Sequence, residues 1–137
     1  MTNIQTHLQI VGLLLTGLGI GHAFFPRYFG WQQELGRVSM LTRQIFYVHC
    51  FFIALVLVLQ GACSFFFADE LLQRNGLSRA ILTGLVLFWT VRLLFQFCVY
   101  DRGIWRGKPF YTSMHVLFSL LWLYVVGTYV QALRAVV

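Results

Sequence analysis

Charged side chains are scarce in this chain: Lys and Arg number 10, and Asp and Glu number 4, in 137 residues. Soluble domains carry roughly 25% charged residues, so a chain with 10% must turn most of its surface toward something other than water. The polar stripe that marks each helix of a soluble bundle is also missing, since a segment such as FFIALVLVLQGACSFFF (residues 51–67) is apolar on every face. With no polar domain to carry a basic face, the net charge of +6 gives no nucleic-acid partner.

Other absences narrow the chemistry. The three cysteines, Cys50, Cys63 and Cys98, are odd in number and all lie in apolar segments, which argues against a disulfide framework and leaves no CxxC redox or zinc motif. Their default role is that of small hydrophobes. The first apolar segment has no basic leader and no small-residue cleavage motif, so it reads as a structural helix and not as a signal peptide. No HxxH, HExxH or HxE…CxxC spacing occurs.

What is abundant is uninterrupted apolar sequence. Charge-free stretches run over residues 1–26, 44–68 and 109–132, and a fourth, over 80–100, is broken only by Arg92. Each reaches the roughly 20 residues that cross a hydrocarbon core at 1.5 Å per residue. The chain is therefore expected to be an all-α polytopic membrane protein. One transmembrane domain over 1–137 would form a four-helix bundle of two hairpins, with spans near 5–25, 44–67, 78–99 and 110–133.

The loops set an expected orientation. Loop 1 carries Arg27, Arg37 and Arg43, and loop 3 carries Arg102, Arg106 and Lys108, whereas the other side holds Arg74, Arg79 and Arg134. By the positive-inside rule, loops 1 and 3 are cytoplasmic and both termini lie outside, as in a bacterial inner-membrane protein. Anionic lipid headgroups are the natural counter-charges for those arginines. Trp31, Trp105, Tyr28, Tyr100 and Tyr111 fall at the same boundary, where an aromatic belt belongs. A short internal repeat is consistent with two hairpins of equal orientation: Ile45-Phe46-Tyr47 with His49, and Pro109-Phe110-Tyr111 with His115.

That orientation gathers the strong polar groups of the spans at one end. By helical rise His22 lies about 4–5 Å inside helix 1, His49 about 6–8 Å inside helix 2 and His115 about 7–8 Å inside helix 4. Arg92 and Gln96 lie near the same end of helix 3. Helical phase groups His49 with Phe46, Ile53 and Gln60, Arg92 with Gln96 and Trp89, and His115 with Tyr111, Ser119 and Trp122. These most polar faces are expected to point inward, because an unsatisfied polar group costs several kcal/mol against lipid.

Three imidazoles suit a transition metal ion, with His22, His49 and His115 as ligands and an open position for substrate. A heme would instead take His49 and His115 axially, with Arg92 on the propionates. Asp101, Glu34, Tyr47 and Tyr111 are candidates for outer contacts or a fourth ligand. The functional expectation is a small metal- or heme-binding membrane protein handling a lipid-soluble or redox substrate such as a quinone, lipid or porphyrin. If it is an enzyme, it is an oxidoreductase in which Arg92, Gln96 and Tyr111 act on substrate. A bland reading stands beside it, in which each histidine bonds a neighbouring helix and Arg92 reaches a lipid phosphate.

Two further classes compete. One is a non-catalytic accessory or assembly subunit, homo-oligomeric or docked on a larger membrane complex through helix 1. There Gly17 and Gly21 form a GxxxG step, with Gly12 and Gly19 nearby. The other is a small transporter, disfavoured because the opposite leaflet offers only Gln60, Thr83 and Thr16 as polar stepping stones. His7 is expected to be solvated at that opposite face.

Overall fold

The structure, a computed structural model, describes residues 3–28, 30–100, 103 and 107–137. The described chain is all α. Four helices are long and apolar enough to cross a membrane: α1 (Asn3–Gly21), α4 (Met40–Phe66), α6 (Gly76–Cys98) and α7 (Pro109–Val136). Every end lies within four residues of the span expected from sequence. Short turns of helix occupy the connections: α2 (Phe25–Tyr28), α3 (Trp31–Glu34) and a 3₁₀ turn (Leu35–Arg37) in loop 1, and α5 (Ala68–Leu71) in loop 2, which joins α4 to α6.

The boundaries have local causes. Ser39 caps α4 by accepting the Thr42 N–H at 3.2 Å, and Asn75 caps α6 by accepting the Ser78 N–H at 2.8 Å. Helix α7 opens on Pro109, whose missing N–H costs nothing at the first position. Its last carbonyls are met by arginines: Arg74 Nε donates to Ala135 O at 3.3 Å, and Arg79 Nε donates to Val136 O at 3.0 Å. Cations there also complement the negative end of the helix dipole.

The chain divides into two compact units, one joining the N-terminal residues through Leu8 with Asp69–Val137, the other comprising Gln9–Ala68. In the first, α6 packs on α7, with Leu82, Leu85 and Trp89 buried on one helix and Trp122, Val125, Tyr129, Ala132 and Val136 on the other. Leu8 is buried as well.

In the second unit α1 meets α4 at glycines. A Cβ placed on Gly12 would stand 2.7 Å from the Gly61 carbonyl oxygen, and one on Gly19 would stand 2.9 Å from Ala54 O. Only hydrogen fits at such separations. The expected GxxxG pair behaves otherwise, since a Cβ on Gly17 would meet nothing within 4 Å and one on Gly21 only the Phe25 ring at 3.9 Å. Small residues let backbones approach without deciding which face does so. Here Gly12 and Gly19, two turns apart, take that role.

Large apolar side chains stand outward: Phe51, Leu59, Leu87, Leu94, Leu117 and Leu120 are all exposed. That inversion of a soluble surface is what lipid contact requires.

Candidate functional site

Of the polar layer expected from sequence, Arg92, Gln96 and His115 come together in the α6–α7 hairpin. Arg92 and Gln96 are one turn apart on α6, and Arg92 Nη1 donates to Gln96 Oε1 at 3.1 Å. Gln96 is 5% exposed, and its other amide atom, Nε2, lies 2.9 Å from His115 Nδ1 on α7. The direction of this chain is fixed at its charged end. A guanidinium only donates, so the amide must present oxygen to Arg92 and N–H to His115. His115 Nδ1 is then an acceptor, and the ring proton of the neutral imidazole sits on Nε2.

Aromatic rings frame the layer. The Arg92 guanidinium lies 5.0 Å from the centre of the Trp122 ring and 5.9 Å from that of Tyr100. A cation over an indole face gains roughly 0.5–2 kcal/mol, more as water is withdrawn. Trp122 in turn stacks on Trp89 at 4.9 Å and on Phe118 at 5.9 Å, each with 22° between ring planes. Its side chain is 3% exposed, and Nε1–H is buried without a hydrogen-bond partner. Ser119 turns its hydroxyl onto the His115 carbonyl at 2.7 Å, which pins the helix turn carrying the imidazole.

The other two histidines take the opposite tautomer. His22 Nδ1 lies 2.8 Å from Leu18 O, and His49 Nδ1 lies 2.8 Å from Ile45 O. A carbonyl only accepts, so both Nδ1 atoms carry hydrogen and leave the lone pair on Nε2. His22 is half-buried against the Phe25 ring at 4.7 Å, whereas His49 is exposed. The inward aim expected for His49 is thus not realised. Its own helix satisfies Nδ1, which removes part of the penalty that was to turn the ring inward.

Tyr111 is exposed, with the Lys108 ammonium 5.5 Å from its ring centre and Phe110 at 5.7 Å. Its contacts among the described residues are thus with Lys108 and Phe110 rather than with the Arg92–Gln96–His115 chain. Asp101, Arg102, Trp105 and Arg106 lie outside the described residues, so the expected roles of Asp101 and of the loop 3 basic cluster fall there. Among the described residues, no group of three or more His, Cys, Asp or Glu side chains could hold a metal ion.

A second polar cluster, not anticipated from sequence, involves His7. Far from being solvated, His7 is half-buried, and its Nδ1 lies 2.8 Å from the Tyr124 hydroxyl. The two residues are 117 positions apart, and no spacing rule links them. The only sequence signal was their polarity within apolar helices.

The α6–α7 layer is rich in donors. Gln96 Oε1 and His115 Nδ1 are both engaged within the chain, while the guanidinium retains further N–H groups and Trp122 Nε1–H has no acceptor. Such a set complements an acceptor, and a charged acceptor best. Comparison with protein-family models, with curated proteins and with solved structures finds no match to this chain.

Proposed function

We propose that this protein binds an amphiphilic, lipid-soluble molecule whose anionic headgroup, a carboxylate or phosphate, is received by Arg92 beside Gln96, His115 and Trp122. The observation that carries the reading is the directed chain from Arg92 through Gln96 to His115. It holds a full positive charge within a membrane helix, and the described contacts of that charge are one amide oxygen and two aromatic faces. None of them neutralises it. A charge in a membrane span is costly unless paired, and an anionic headgroup arriving from the bilayer supplies the pair. By the positive-inside rule, this layer belongs to the cytoplasmic leaflet.

The test is retention of amphiphiles by detergent-purified protein, measured by extraction and mass spectrometry. The wild type should retain an anionic amphiphile, and Arg92→Gln should lower its affinity about ten- to a hundredfold, the loss expected for a charge-assisted contact. Equal retention by both proteins overturns the reading.

A second reading, a transition metal ion or heme iron on His22 or His49, has one observation in its favour. Both rings donate Nδ1–H to a backbone carbonyl, the arrangement that prepares Nε2 as a metal ligand. His115 contributes poorly to such a set, because Gln96 holds it in the other tautomer. Metal analysis and a visible absorption spectrum decide. Stoichiometric metal or a Soret band that disappears in His49→Ala moves the assignment to the histidines and toward oxidoreductase chemistry. An accessory subunit, by contrast, would retain neither metal nor amphiphile.

A further inference from the structure

The α6–α7 unit contains a cavity remote from Arg92. It is partly open, has a volume of about 260 Å³, and is lined by His7, Leu123, Tyr124, Gly127, Thr128 and Gln131. Thr128 lies 13 positions beyond His115 on the same helix, or about 20 Å along its axis. The cavity and the Arg92 layer are therefore separate places, and the inference below does not rest on the anionic-headgroup reading.

Three features define what the cavity can hold. First, none of the lining residues is an acid, a lysine or an arginine, so no fixed charge calls for an ionic ligand. Second, its polar groups can each give or receive a hydrogen bond. Tyr124 Oη and His7 Nδ1 are 2.8 Å apart, and either can be the donor depending on the imidazole tautomer. Gln131 has both amide functions. The Thr128 hydroxyl belongs to a residue only 5% exposed, and it can donate as well as accept. Third, the volume lies below the roughly 300 Å³ at which whole drug-sized ligands are enclosed, so a headgroup fits and a tail must remain outside. The apolar surroundings of α7 provide for the tail.

From these features we infer that the His7–Tyr124–Thr128 cavity is a binding site for the ring of a membrane quinone, its carbonyl oxygens received by Thr128 and by the His7–Tyr124 pair. A quinone is neutral, flat and attached to an apolar tail. Its oxygens accept hydrogen bonds when oxidised and donate them when reduced, which matches a lining whose members can reverse direction. Gly127 leaves the wall open, because a Cβ there would meet nothing within 4 Å.

That glycine also gives the cleanest variant, since it lines the cavity and a Cβ placed on it would meet nothing within 4 Å. The measurement is saturable quenching of tryptophan fluorescence by decylubiquinone, with the full chain in detergent micelles. Gly127→Leu should abolish saturable binding while the unfolding temperature holds. Thr128→Val, which removes the hydroxyl at nearly constant shape, should weaken binding about three- to tenfold. Arg92→Gln should leave it unchanged. The inference is overturned if the wild type shows no saturable quenching, or if Gly127→Leu and Thr128→Val bind as the wild type does. It is also overturned if Arg92→Gln abolishes binding, which would place the quinone in the other layer, or if dioctanoylglycerol competes as well as the quinone, which would make the site one for hydroxyl-bearing lipids. Loss of anion retention in Arg92→Gln with quinone binding intact separates the two sites.

Discussion

One amide, Gln96, sets the tautomer of an imidazole on another helix, because it stands between a group that only donates and one that can do either. Two replacements separate its packing from its polarity. Gln96→Leu removes the buried amide bonds to Arg92 and His115 and should lower stability by about 1–3 kcal/mol, read from thermal or denaturant unfolding in micelles. Gln96→Glu keeps the shape but brings a carboxylate to the guanidinium. It should preserve folding while abolishing retention of an anionic amphiphile, since the counter-charge is then internal. Retained anion binding in Gln96→Glu would show that the charge on Arg92 is not what the ligand answers. The Arg92–Gln96 pair and the phase of His115 were legible from residue spacing alone, as one-turn neighbours and helical faces are local properties. The outward turn of His49 was not. Spacing shows which residues share a face, but not that a ring has already found the Ile45 carbonyl of its own helix.

At the scale of the helix, length and apolarity located all four long elements because backbone groups in lipid must be satisfied within the segment, which makes a span long and unbroken. Which faces would touch was less legible. Gly17 and Gly21 satisfy the GxxxG spacing, yet Gly12, Gly19 and Gly61 make the contact, since the choice depends on the shape of the facing helix. Paired variants test this. A Cβ at Gly61 would meet Gly12 O at 2.7 Å and the Thr16 backbone nitrogen at 2.8 Å. Gly61→Ala should therefore destabilise by about 1–3 kcal/mol, the usual cost of overpacking. Gly17→Ala has open space around its new methyl and should stay within about 0.5 kcal/mol of the wild type. Equal effects of the two would contradict the α1–α4 contact. The end of α7 offers a further check. Removing the Arg79 Nε contact to Val136 O should cost about 1 kcal/mol in Arg79→Ala. Amide hydrogen exchange should quicken in the last turn of α7 and leave the turn carrying His115 as it was.

For the whole molecule, function depends on which leaflet each polar cluster meets. In the expected topology of four crossings, loops 1 and 3 share one side and the termini share the other with loop 2. Six basic residues flank the first side against three on the second, which predicts cytoplasmic loops 1 and 3. The Arg92 layer then faces the leaflet richer in anionic lipid, whose own headgroups are of the class proposed as the ligand. His7, near the start of α1, belongs to the opposite half. Single cysteines in a background with Cys50, Cys63 and Cys98 replaced read the orientation directly. Gln32→Cys in α3 and Val137→Cys at the tail are both exposed positions. A membrane-impermeant maleimide added to intact cells should label the Val137→Cys protein and reach Gln32→Cys only after the membrane is opened. The reverse pattern would place Arg92 in the outer leaflet, away from the anionic surface. Because the charge bias rests on loops 1 and 3 together, Arg37→Glu with Lys108→Glu should weaken this preference and give labelling at both positions. Strict one-sided labelling after that change would mean that something other than loop charge fixes the topology.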